Sequence, residues 1–508
     1  MLKKSIICIS LLIISDQLLS YYVWPVHGRR KITSVLAEYR GIRGHQGLDM
    51  STHGKKGVPI RSANHGYVSS IMYQHWGIGY AVFVKHADGY KTFYGHLSRF
   101  HRRILRHGKT RKVRWKIRNK KDFRIYYKKN DIPIRRGQTI AYSGDSGIGP
   151  IHLHFELRKN NVSVNPLVYA YRVRDRSAPK MLKVHLVPLD GFSHVDGLSE
   201  PAIFRTVYWG RRRYGLKGGH IPVVAGRVGV KVKVYDRAGY YNKVALYGAR
   251  TYINNKLVYS FRFNKLSRKY SHRMGLFYDR EYSTYSSFTY YMFSRITKRG
   301  IIRTHKPGKK IKIKVEVFDA SGNKSRLYFT VKTTDSYSEP AYYYKPNLLP
   351  GMSAKFRSKD RRFSISFNKK AALYKEMIKL SKEPAFRSGI RGLTVLSDVY
   401  GVTPWYLCLD KPAVVRLKYN KDDYKKVGIY GMSKAGSFFF LGRWYNKRKN
   451  YYAINALSMQ KFFLMKDERR PTIRFRKHRR RVRRYRPLKL YVSDYGTGVD
   501  FRNVYIRI

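Results

Sequence analysis

Histidine and aspartate side chains are concentrated in three short segments of this chain, and these residue types can hold a metal ion. The segments are His45-Gln-Gly-Leu-Asp49, Phe93-Tyr-Gly-His96-Leu-Ser98 and His152-Leu-His154-Phe-Glu156. Side chains at positions i and i+2 of a strand share a face, so His152 and His154 should point the same way. Imidazoles together with a carboxylate suit a borderline-soft dication such as zinc, and a catalytic zinc takes three protein ligands. His45, Asp49, His152 and His154 are thus four candidates for three ligand positions, and one histidine must do something else.

His96 is a fifth candidate, and the hairpin that should contain it decides whether it can reach the site. Residues 87–89 include Asp-Gly, which is a strong hairpin-turn signal. A simple hairpin closed there pairs Tyr80 with His96 and His86 with Tyr90, which puts His86 about 20 Å along the strand from His96. We therefore interpret His86 as a structural histidine near the turn, and His96 as able to join the site.

The elements that must position these side chains are short strands. Residues 35–170 contain β-branched and aromatic runs punctuated by glycine, and no long amphipathic helical period, so this region should be one mostly-β unit. The glycine-rich segment 143–150 opens onto the predicted His152–Glu156 strand rather than onto a helix, and it lacks nucleotide-binding spacing. It is therefore expected to be a tight turn that presents this strand. Glu156 should share a face with His154 and is a candidate hydrogen-bond partner for an imidazole.

Together these motifs resemble the lysostaphin-type (β-lytic) zinc metallopeptidases. The resemblance rests on HxxxD at 45–49, YxHLS at 94–98 and GPxHLHFE at 149–156, and it covers residues 40–168. It implies a compact antiparallel β domain with its site in a groove and one Zn²⁺ per catalytic domain. It also implies an enzyme that cuts the peptide cross-links of bacterial peptidoglycan.

The family's pattern assigns a role to each of the five site residues. It makes His45, Asp49 and His154 the zinc ligands, and it makes His152 and His96 the catalytic pair that positions water and stabilises the oxyanion. We assign His152 to the water and His96 to the oxyanion, although these two roles are exchangeable. Some members of the family have lost ligands and act as non-catalytic activators. Every position is intact here, which favours an active zinc metalloendopeptidase.

Three departures from the family's pattern bear on substrate preference rather than on the ligands. His65 stands where a small or acidic residue is usual, and Ile151 is an extra residue before the His152–His154 pair. The segment after Ser98 is extended by a basic insertion, residues 99–136, with 17 Lys and Arg against Asp122 and Asp131. We expect this insertion to be an ordered excursion or β-ribbon beside the groove, and a solvated insertion without a ligand is the alternative.

Composition sets limits on the class of protein and on its partners. The 508 residues carry 106 Lys and Arg against 30 Asp and Glu, a formal net charge of +76, which predicts a polyanionic neighbourhood. A hydrophobic content of 43% argues against a wholly disordered chain. Only two cysteines, Cys8 and Cys408, exclude a disulfide-stapled scaffold and a cysteine-rich zinc finger.

The N-terminal segment predicts export. Residues 1–20 have a basic start at Lys3 and Lys4 and an apolar run at 5–15 that is too short to cross a bilayer. We interpret residues 1–20 as a signal peptide, with a buried N-terminal helix as the alternative. No later stretch of 18 apolar residues occurs, so a mature chain without a transmembrane span is expected in the periplasm or cell envelope of a bacterium.

Beyond residue 170 the sequence predicts further β modules without histidine constellations. The expected units are an Ig-like β module at 175–335, a β-rich accessory module at 341–468 with one helical stretch at 369–382, and a basic segment with a partial Ig-like module at 469–508. A strand–Asp–turn repeat begins at Val232, Val315 and Leu490, which is typical of β-sandwich modules. Asp319, Ser321 and Asn323 have part of a calcium-loop spacing, but no bidentate Glu follows, so an Asx-type turn is expected there.

The predicted architecture is all-β, with an antiparallel catalytic domain followed by Ig-like sandwich modules, and peptidoglycan is the expected partner. Anionic envelope polymers and lipid head groups are further candidate partners. Two alternatives remain: an adhesin-like envelope protein with a vestigial peptidase domain, and an exported polyanion-binding protein whose zinc is structural. Against specific nucleic-acid binding, the sequence contains no recognition helix, RNA-binding motif or cysteine finger.

Overall fold

The computed structural model describes residues 22–475 and 490–493, apart from 42, 76, 120, 148, 239–241, 343–344, 406, 420–425, 434–435 and 471. The chain divides into two compact units, Met1–Tyr343 and Tyr344–Ile508. Both are built mainly from strands, so the predicted all-β class is confirmed, while the Ig-like description of the later modules stays a prediction. The predicted signal peptide and most of the predicted basic segment at 469–508 lie outside the described residues.

The histidine segments belong to one large antiparallel sheet in the first unit. Its strands in the described part of the chain are Ile32–Ser34, Leu48–Ser51, Pro59–Arg61, Gly66–Gln74, Gly79–Lys85, Lys91–Phe100, Phe123–Tyr126, Pro133–Ile134, Thr139–Ser143, His152–Lys159, Val162–Val164 and Lys265–Ser267. The strand His152–Lys159 lies between Leu48–Ser51 and Lys91–Phe100. This order brings all three histidine segments to neighbouring strands. A two-stranded hairpin, Tyr39–Arg40 with Arg43–Gly44, precedes His45.

Alternation along His152–Lys159 fixes which side chains face the core. Leu153, Phe155 and Leu157 are at most 1% exposed and belong to the apolar core of this unit. Because strand side chains alternate, the odd-numbered residues anchor the strand and the even-numbered histidines and Glu156 point to the other face. The prediction that His152 and His154 share a face is therefore confirmed.

The basic insertion is regular structure rather than a loose loop. It forms the short helices Arg102–Arg106, Gly108–Arg111 and Arg114–Arg118, then the strand Phe123–Tyr126, which pairs with Gly66–Gln74. Ile104 is completely buried and anchors the first helix, whereas Trp115 is 55% exposed. The prediction of an ordered excursion is confirmed, although helices make up more of it than a simple β-ribbon would contain.

A second sheet completes the first unit. Its strands among the described residues are Lys180–Pro188, His194–Val195, Ala202–Gly210, Arg213–Leu216, Val223–Ala225, Arg227–Ala238, Asn242–Val244, Gly248–Ile253, Lys256–Arg262, Phe288–Tyr291, Ile302–Arg303, Lys310–Phe318 and Lys324–Thr333. The helix Pro166–Tyr169 and the 3₁₀ segments Lys217–Gly219 and Arg268–Leu276 connect strands. Lys265–Ser267, although distant in sequence, pairs with Val162–Val164 of the first sheet. Hydrogen-bonded strands therefore join the regions on either side of residue 170.

The second unit contains further antiparallel sheets. One is made of Ala354–Arg357, Phe363–Phe367, Ala413–Lys418, Trp444–Asn446 and Tyr451–Ala456, and another of Lys379–Glu383, Leu393–Val395, Val399–Thr403, Val427–Met432, Phe438–Gly442 and Lys461–Asp467. Thr472–Phe475 pairs with Leu490–Ser493, and Lys447–Lys449 is a 3₁₀ turn. The helix predicted at 369–382 is wrong, because this segment makes isolated bridges and then enters the strand Lys379–Glu383.

Cys408 is buried in the second unit. In the part of the chain that the structure describes, every helix is too short or too polar to cross a membrane.

Candidate metal centre

Strand register brings the first three candidate ligands together. His154 is paired with Asp49 on one neighbouring strand and with Gly95 on the other. His45 lies four residues before Asp49, and its backbone N–H donates to the carbonyl of Glu38, at 2.9 Å. The short hairpin before Leu48–Ser51 therefore holds the His45 ring beside the Asp49–His154 pair.

Three donor atoms form a nearly equilateral triangle. His45 Nε2 lies 3.0 Å from Asp49 Oδ1, His154 Nδ1 lies 2.9 Å from the same oxygen, and the two nitrogens are 3.0 Å apart. The three residues are buried, with 6–8% of their surface exposed. His152 Nε2 stands slightly outside this triangle, 3.5 Å from Asp49 Oδ1. The four candidates thus divide into a tight set of three and one histidine at its edge.

Hydrogen bonds on the side facing away from the triangle decide which nitrogen of each histidine ring carries a proton. His45 Nδ1 lies 2.9 Å from the carbonyl oxygen of Val35, and His154 Nε2 lies 3.0 Å from Glu156 Oε1. A carbonyl or carboxylate oxygen only accepts, so these outer nitrogens are N–H donors. In the neutral rings the lone pairs are then on His45 Nε2 and His154 Nδ1, which face Asp49. Three acceptor atoms about 3 Å apart repel one another unless a cation or proton lies among them.

The protonation equilibria of the triangle reflect this crowding. Burial lowers the pKa of His45. Burial also lowers the pKa of His154, but hydrogen bonds to the Asp49 and Glu156 carboxylates outweigh it and raise the pKa to about 9. Burial raises the pKa of Asp49, yet the facing histidines hold it well below its usual value. The position thus attracts positive charge, and a proton on His154 Nδ1 and a metal ion are alternative occupants of it.

The donor set fits a zinc ion. Donors around a tetrahedral zinc with bonds of about 2.0–2.1 Å lie about 3.3 Å apart, and the observed edges of 2.9–3.0 Å are close to this. Two imidazole nitrogens and one carboxylate oxygen are the donor types that zinc accepts. Their total charge leaves a dication at this position with a formal charge of +1, which suits a Lewis acid.

His96 and His152 form a second pair beside the triangle. Their ring centroids are 4.6 Å apart, and the His96 ring is 5.9 Å from that of His154. His96 Nδ1 donates to the carbonyl of Ser146 at 2.9 Å, and His152 Nδ1 donates to the carbonyl of Pro150 at 2.6 Å. Each neutral ring then has its lone pair on Nε2. Burial, followed by the neighbouring His152, lowers the pKa of His96 to about 4.

Both carbonyl acceptors belong to the glycine-rich segment 143–150, which therefore has a structural role in the site. Gly147 has φ of +88°, and a Cβ there would lie 2.1 Å from the carbonyl oxygen of Gly77. Only glycine fits such a close approach without movement of the backbone. The expected tight turn is therefore also the element that orients the His96 and His152 rings.

The predicted hairpin register around His96 is wrong by one residue. Tyr80 pairs with Leu97 and Val82 with Tyr94, so Gly95 and His96 bulge from the strand. His96 has φ of +58°, the left-handed conformation that a bulge requires. The bulge re-aims the His96 side chain towards the other imidazoles.

The other histidines near these segments are either structural or exposed. His86 is buried, with its ring nitrogens 2.7 Å from the carbonyl of His65 and 2.7 Å from Thr92 Oγ1, so the structural role predicted for it is confirmed. His53, His65 and His75 are exposed.

Glu156 is a hydrogen-bond partner of a candidate ligand, as predicted. Its Oε1 accepts from His154 Nε2, while its Oε2 accepts from Arg158 Nε at 2.5 Å and from Ser163 Oγ at 3.1 Å. Burial raises the pKa of Glu156, but His154 and Arg158 outweigh it and lower the pKa to about 2. A fixed carboxylate therefore holds the His154 ring in one orientation.

The sequence did not reveal the group that holds the far side of Asp49. Arg40 Nη2 donates to Asp49 Oδ2 at 3.0 Å and to Ser34 Oγ at 2.7 Å. Ser34 Oγ in turn lies 3.1 Å from His45 Nδ1 and donates to Glu38 Oε1 at 2.6 Å. These residues precede the HxxxD motif at no regular spacing, so only the tertiary structure identifies them.

Comparison with known families agrees with this geometry. Residues 43–112 match Peptidase family M23. The chain carries an M23 peptidase domain. The matched residues include His45, Asp49 and His96, and the predicted resemblance to the lysostaphin-type family is confirmed. The M23 family is zinc-dependent, in keeping with the donor set of the triangle.

Relatives of this chain include proteins named as peptidases and one named as an activator. The chain is 31% identical over 159 residues to an uncharacterized metalloprotease of Haemophilus influenzae, covering 28% of this chain and 27% of that protein. It is 29% identical over 130 residues to the DD-carboxypeptidase/endopeptidase Mpg of Neisseria meningitidis serogroup B, covering 25% and 23%. It is 28% identical over 151 residues to the murein hydrolase activator NlpD of Escherichia coli, covering 30% and 31%.

Each of these alignments covers 25–30% of this chain. The chain spans about a quarter of the length of the first two relatives, 27% and 23%. Among solved structures, a zinc-containing peptidase from Vibrio cholerae is 25% identical, with a TM-score of 0.21 over 28% of this chain and 38% of that one.

Proposed function

We propose that this protein is an exported zinc endopeptidase that hydrolyses the peptide cross-links of bacterial peptidoglycan. The observation that carries the proposal is the triangle of His45 Nε2, Asp49 Oδ1 and His154 Nδ1, with edges of 2.9–3.0 Å. The second pair, His96 and His152, adds proton-transfer groups that a purely structural metal site does not need.

In this proposal His45, Asp49 and His154 hold the zinc. When bound, zinc supplies a Lewis acid that polarises a peptide carbonyl and lowers the pKa of a water molecule to ~7. Three groups keep the ligands oriented, because each contacts the side of a ligand that faces away from the triangle. They are Arg40, Glu156 and the Val35 carbonyl.

His96 and His152 carry the proton transfers. With Nδ1–H held by a backbone carbonyl, the Nε2 lone pair of either ring can accept the proton of an attacking water. The same nitrogen, once protonated, can donate a hydrogen bond to the oxyanion and then a proton to the leaving amine. In both rings Nδ1 carries the proton and Nε2 the lone pair. The assignment of His152 to the water and His96 to the oxyanion therefore stays a prediction.

The remaining regions are proposed to hold the enzyme at the envelope. The net charge of +76 is complementary to carboxylate- and phosphate-rich polymers and to anionic lipid head groups. The basic insertion follows directly after the strand that carries His96, so it lies in sequence next to the site. We propose that it contacts the substrate polymer outside the cleaved bond.

Digestion of purified sacculi tests the proposed function. The zinc-loaded protein should release muropeptides whose masses show cleavage within the cross-link peptide, and a chelator should abolish release. His154→Ala should remove both zinc retention and release, while Asp335→Asn, an exposed substitution in the second sheet region, should change neither. Full zinc occupancy without any released muropeptide would favour a non-catalytic activator, the role that the name of NlpD describes for that relative.

A further inference from the structure

Three carboxylates outside the peptidase site converge in the first unit. Asp236 and Asp319 occupy the same position in two copies of the strand–Asp–turn repeat, and Asp175 begins the segment that leads into the second sheet. One carboxylate oxygen from each lies within 4.8 Å of the other two. The partial calcium-loop spacing of Asp319, Ser321 and Asn323 does not predict this set of three acids, because the other two acids are 83 and 144 residues away.

Asp236 has the least satisfied carboxylate of the three. It is 3% exposed, and its Oδ1 has no hydrogen-bond partner among the described residues. Burial raises the pKa of Asp236 well above its usual value, and the charges of Asp319 and Asp175 raise it further. An isolated buried carboxylate is costly unless something positive or a proton compensates it.

The other two acids are only partly occupied by local hydrogen bonds. Asp319 accepts from the backbone N–H of Asn323, four residues further along the chain, at 2.8 Å and from the Asn323 Nδ2 at 2.7 Å. Asp175 Oδ1 accepts from the backbone N–H of Ser177 at 2.8 Å. Each oxygen keeps a further lone pair, since a carboxylate has about four acceptor sites.

Basic side chains do not neutralise this cluster. Within the described residues, no Lys or Arg makes an ion pair with Asp175, Asp236 or Asp319, although the chain carries 106 basic residues. Elsewhere in the same sheet, by contrast, the buried acids Asp279 and Glu316 are paired with Lys231 and with Arg250 and Arg326.

The three acids line a small cavity. Its volume is about 30 Å³, and Asp175, Asp236, Asp319, Ser321 and Tyr247 are among the lining residues. Such a volume holds one or two water molecules or an ion of similar size. Asp175 is only half-buried, and most of the other lining residues are apolar, so the carboxylates form the polar part of the cavity wall.

We propose that Asp175, Asp236 and Asp319 form a second metal site that binds Ca²⁺. Only oxygen donors are present, and a cluster of carboxylates selects a hard cation rather than zinc. Oxygens that share one calcium ion at 2.3–2.6 Å lie at most about 5 Å apart, and the observed oxygens satisfy this limit. Water would complete the coordination, and Ser321, which lines the same cavity, is a further oxygen donor.

A cation here would fasten the segment after the M23 domain to the second sheet. The carbonyl of Asp175 accepts from Asn323 Nδ2 at 3.0 Å, and the carbonyl of Val173 accepts from Ser321 Oγ at 3.4 Å. Asp236 lies near the end of Arg227–Ala238, and Asp319 directly follows Lys310–Phe318. One ion would therefore join the connecting segment to the ends of two strands.

Terbium luminescence tests this site without any assay of peptidase activity. Tb³⁺ should bind the zinc-loaded full chain, emit on excitation of tyrosine because Tyr247 lines the cavity, and be displaced by Ca²⁺. Ca²⁺ alone at 100 times its Kd should raise the unfolding midpoint of the first unit by about 2–5 °C. Asp236→Asn should lose the calcium-displaceable emission and the midpoint shift, while Asp335→Asn should keep both.

The proposal is overturned if millimolar Ca²⁺ neither displaces terbium nor shifts the midpoint of the wild type. It is also overturned if Asp236→Asn binds Ca²⁺ as tightly as the wild type. Should Asp236→Asn fail to fold, the half-buried Asp175→Asn replaces it and must weaken binding at least tenfold. Since these measurements use only metal ions, a failure here is distinguishable from a failure to release muropeptides.

Discussion

Replacement of Glu156 by glutamine tests how the orientation of the His154 ring affects zinc affinity, because none of the three ligands is changed. Glu156 is 4% exposed and touches the triangle only through His154, to which its Oε1 is hydrogen-bonded at 3.0 Å. Glutamine preserves size and can still accept this bond, but it removes the negative charge that strengthens it. Loss of such an outer partner costs 10–100-fold in metal affinity, or about 1.4–2.7 kcal/mol. We expect Glu156→Gln to bind zinc 10–100-fold more weakly.

Competition with a chromophoric zinc chelator measures this change directly. Glu316→Gln is the matched control, because Glu316 is also a buried glutamate that is ion-paired with arginines, at 2.8 and 3.1 Å, but lies in the second sheet. It should leave zinc affinity unchanged. Equal affinity in Glu156→Gln and the wild type, or an equal loss in both variants, would refute the proposed role of the His154–Glu156 hydrogen bond.

Three further outcomes are expected. His96→Ala should keep zinc bound but slow muropeptide release by ~10²-fold or more, and loss of zinc would make His96 a ligand instead. Leu153→Ala, at a completely buried core position, should destabilise the first unit by about 2–5 kcal/mol in chemical denaturation, and a change below 1 kcal/mol would contradict the packing described. Binding to whole sacculi should weaken as salt rises, since it joins exposed charges, whereas salt-independent binding would indicate a specific pocket.

Only part of the site was predictable from short-range periodicity, whereas the roles of His45, Asp49 and His96 came from the family resemblance. The i, i+2 relation between His152 and His154 follows from strand geometry alone, and so does the position of Glu156 beside His154. What the sequence did not predict depends on contacts between distant segments. The bulge at His96 inserts one residue into a hairpin whose turn signal was correct, and Arg40 reaches Asp49 from a separate hairpin.

The helix predicted at 369–382 failed for a similar reason. Its alanine, leucine, lysine and glutamate residues favour a helix, but propensity is a weak prior that tertiary context overrides. Glu376 instead makes a bridge with Leu348, and Lys379–Glu383 pairs with Val399–Thr403. Strand pairing in this unit provides the backbone hydrogen bonds that a helix would have formed internally.

The convergence of His45, Asp49 and His154 on one metal ion can be observed directly. Crystals of the zinc-loaded protein should give an anomalous difference peak at the zinc edge, bonded to His45 Nε2, Asp49 Oδ1 and His154 Nδ1 with one position open to solvent. A peak elsewhere, no peak at full zinc occupancy in solution, or a fourth protein ligand that closes the open position would contradict the proposed hydrolase.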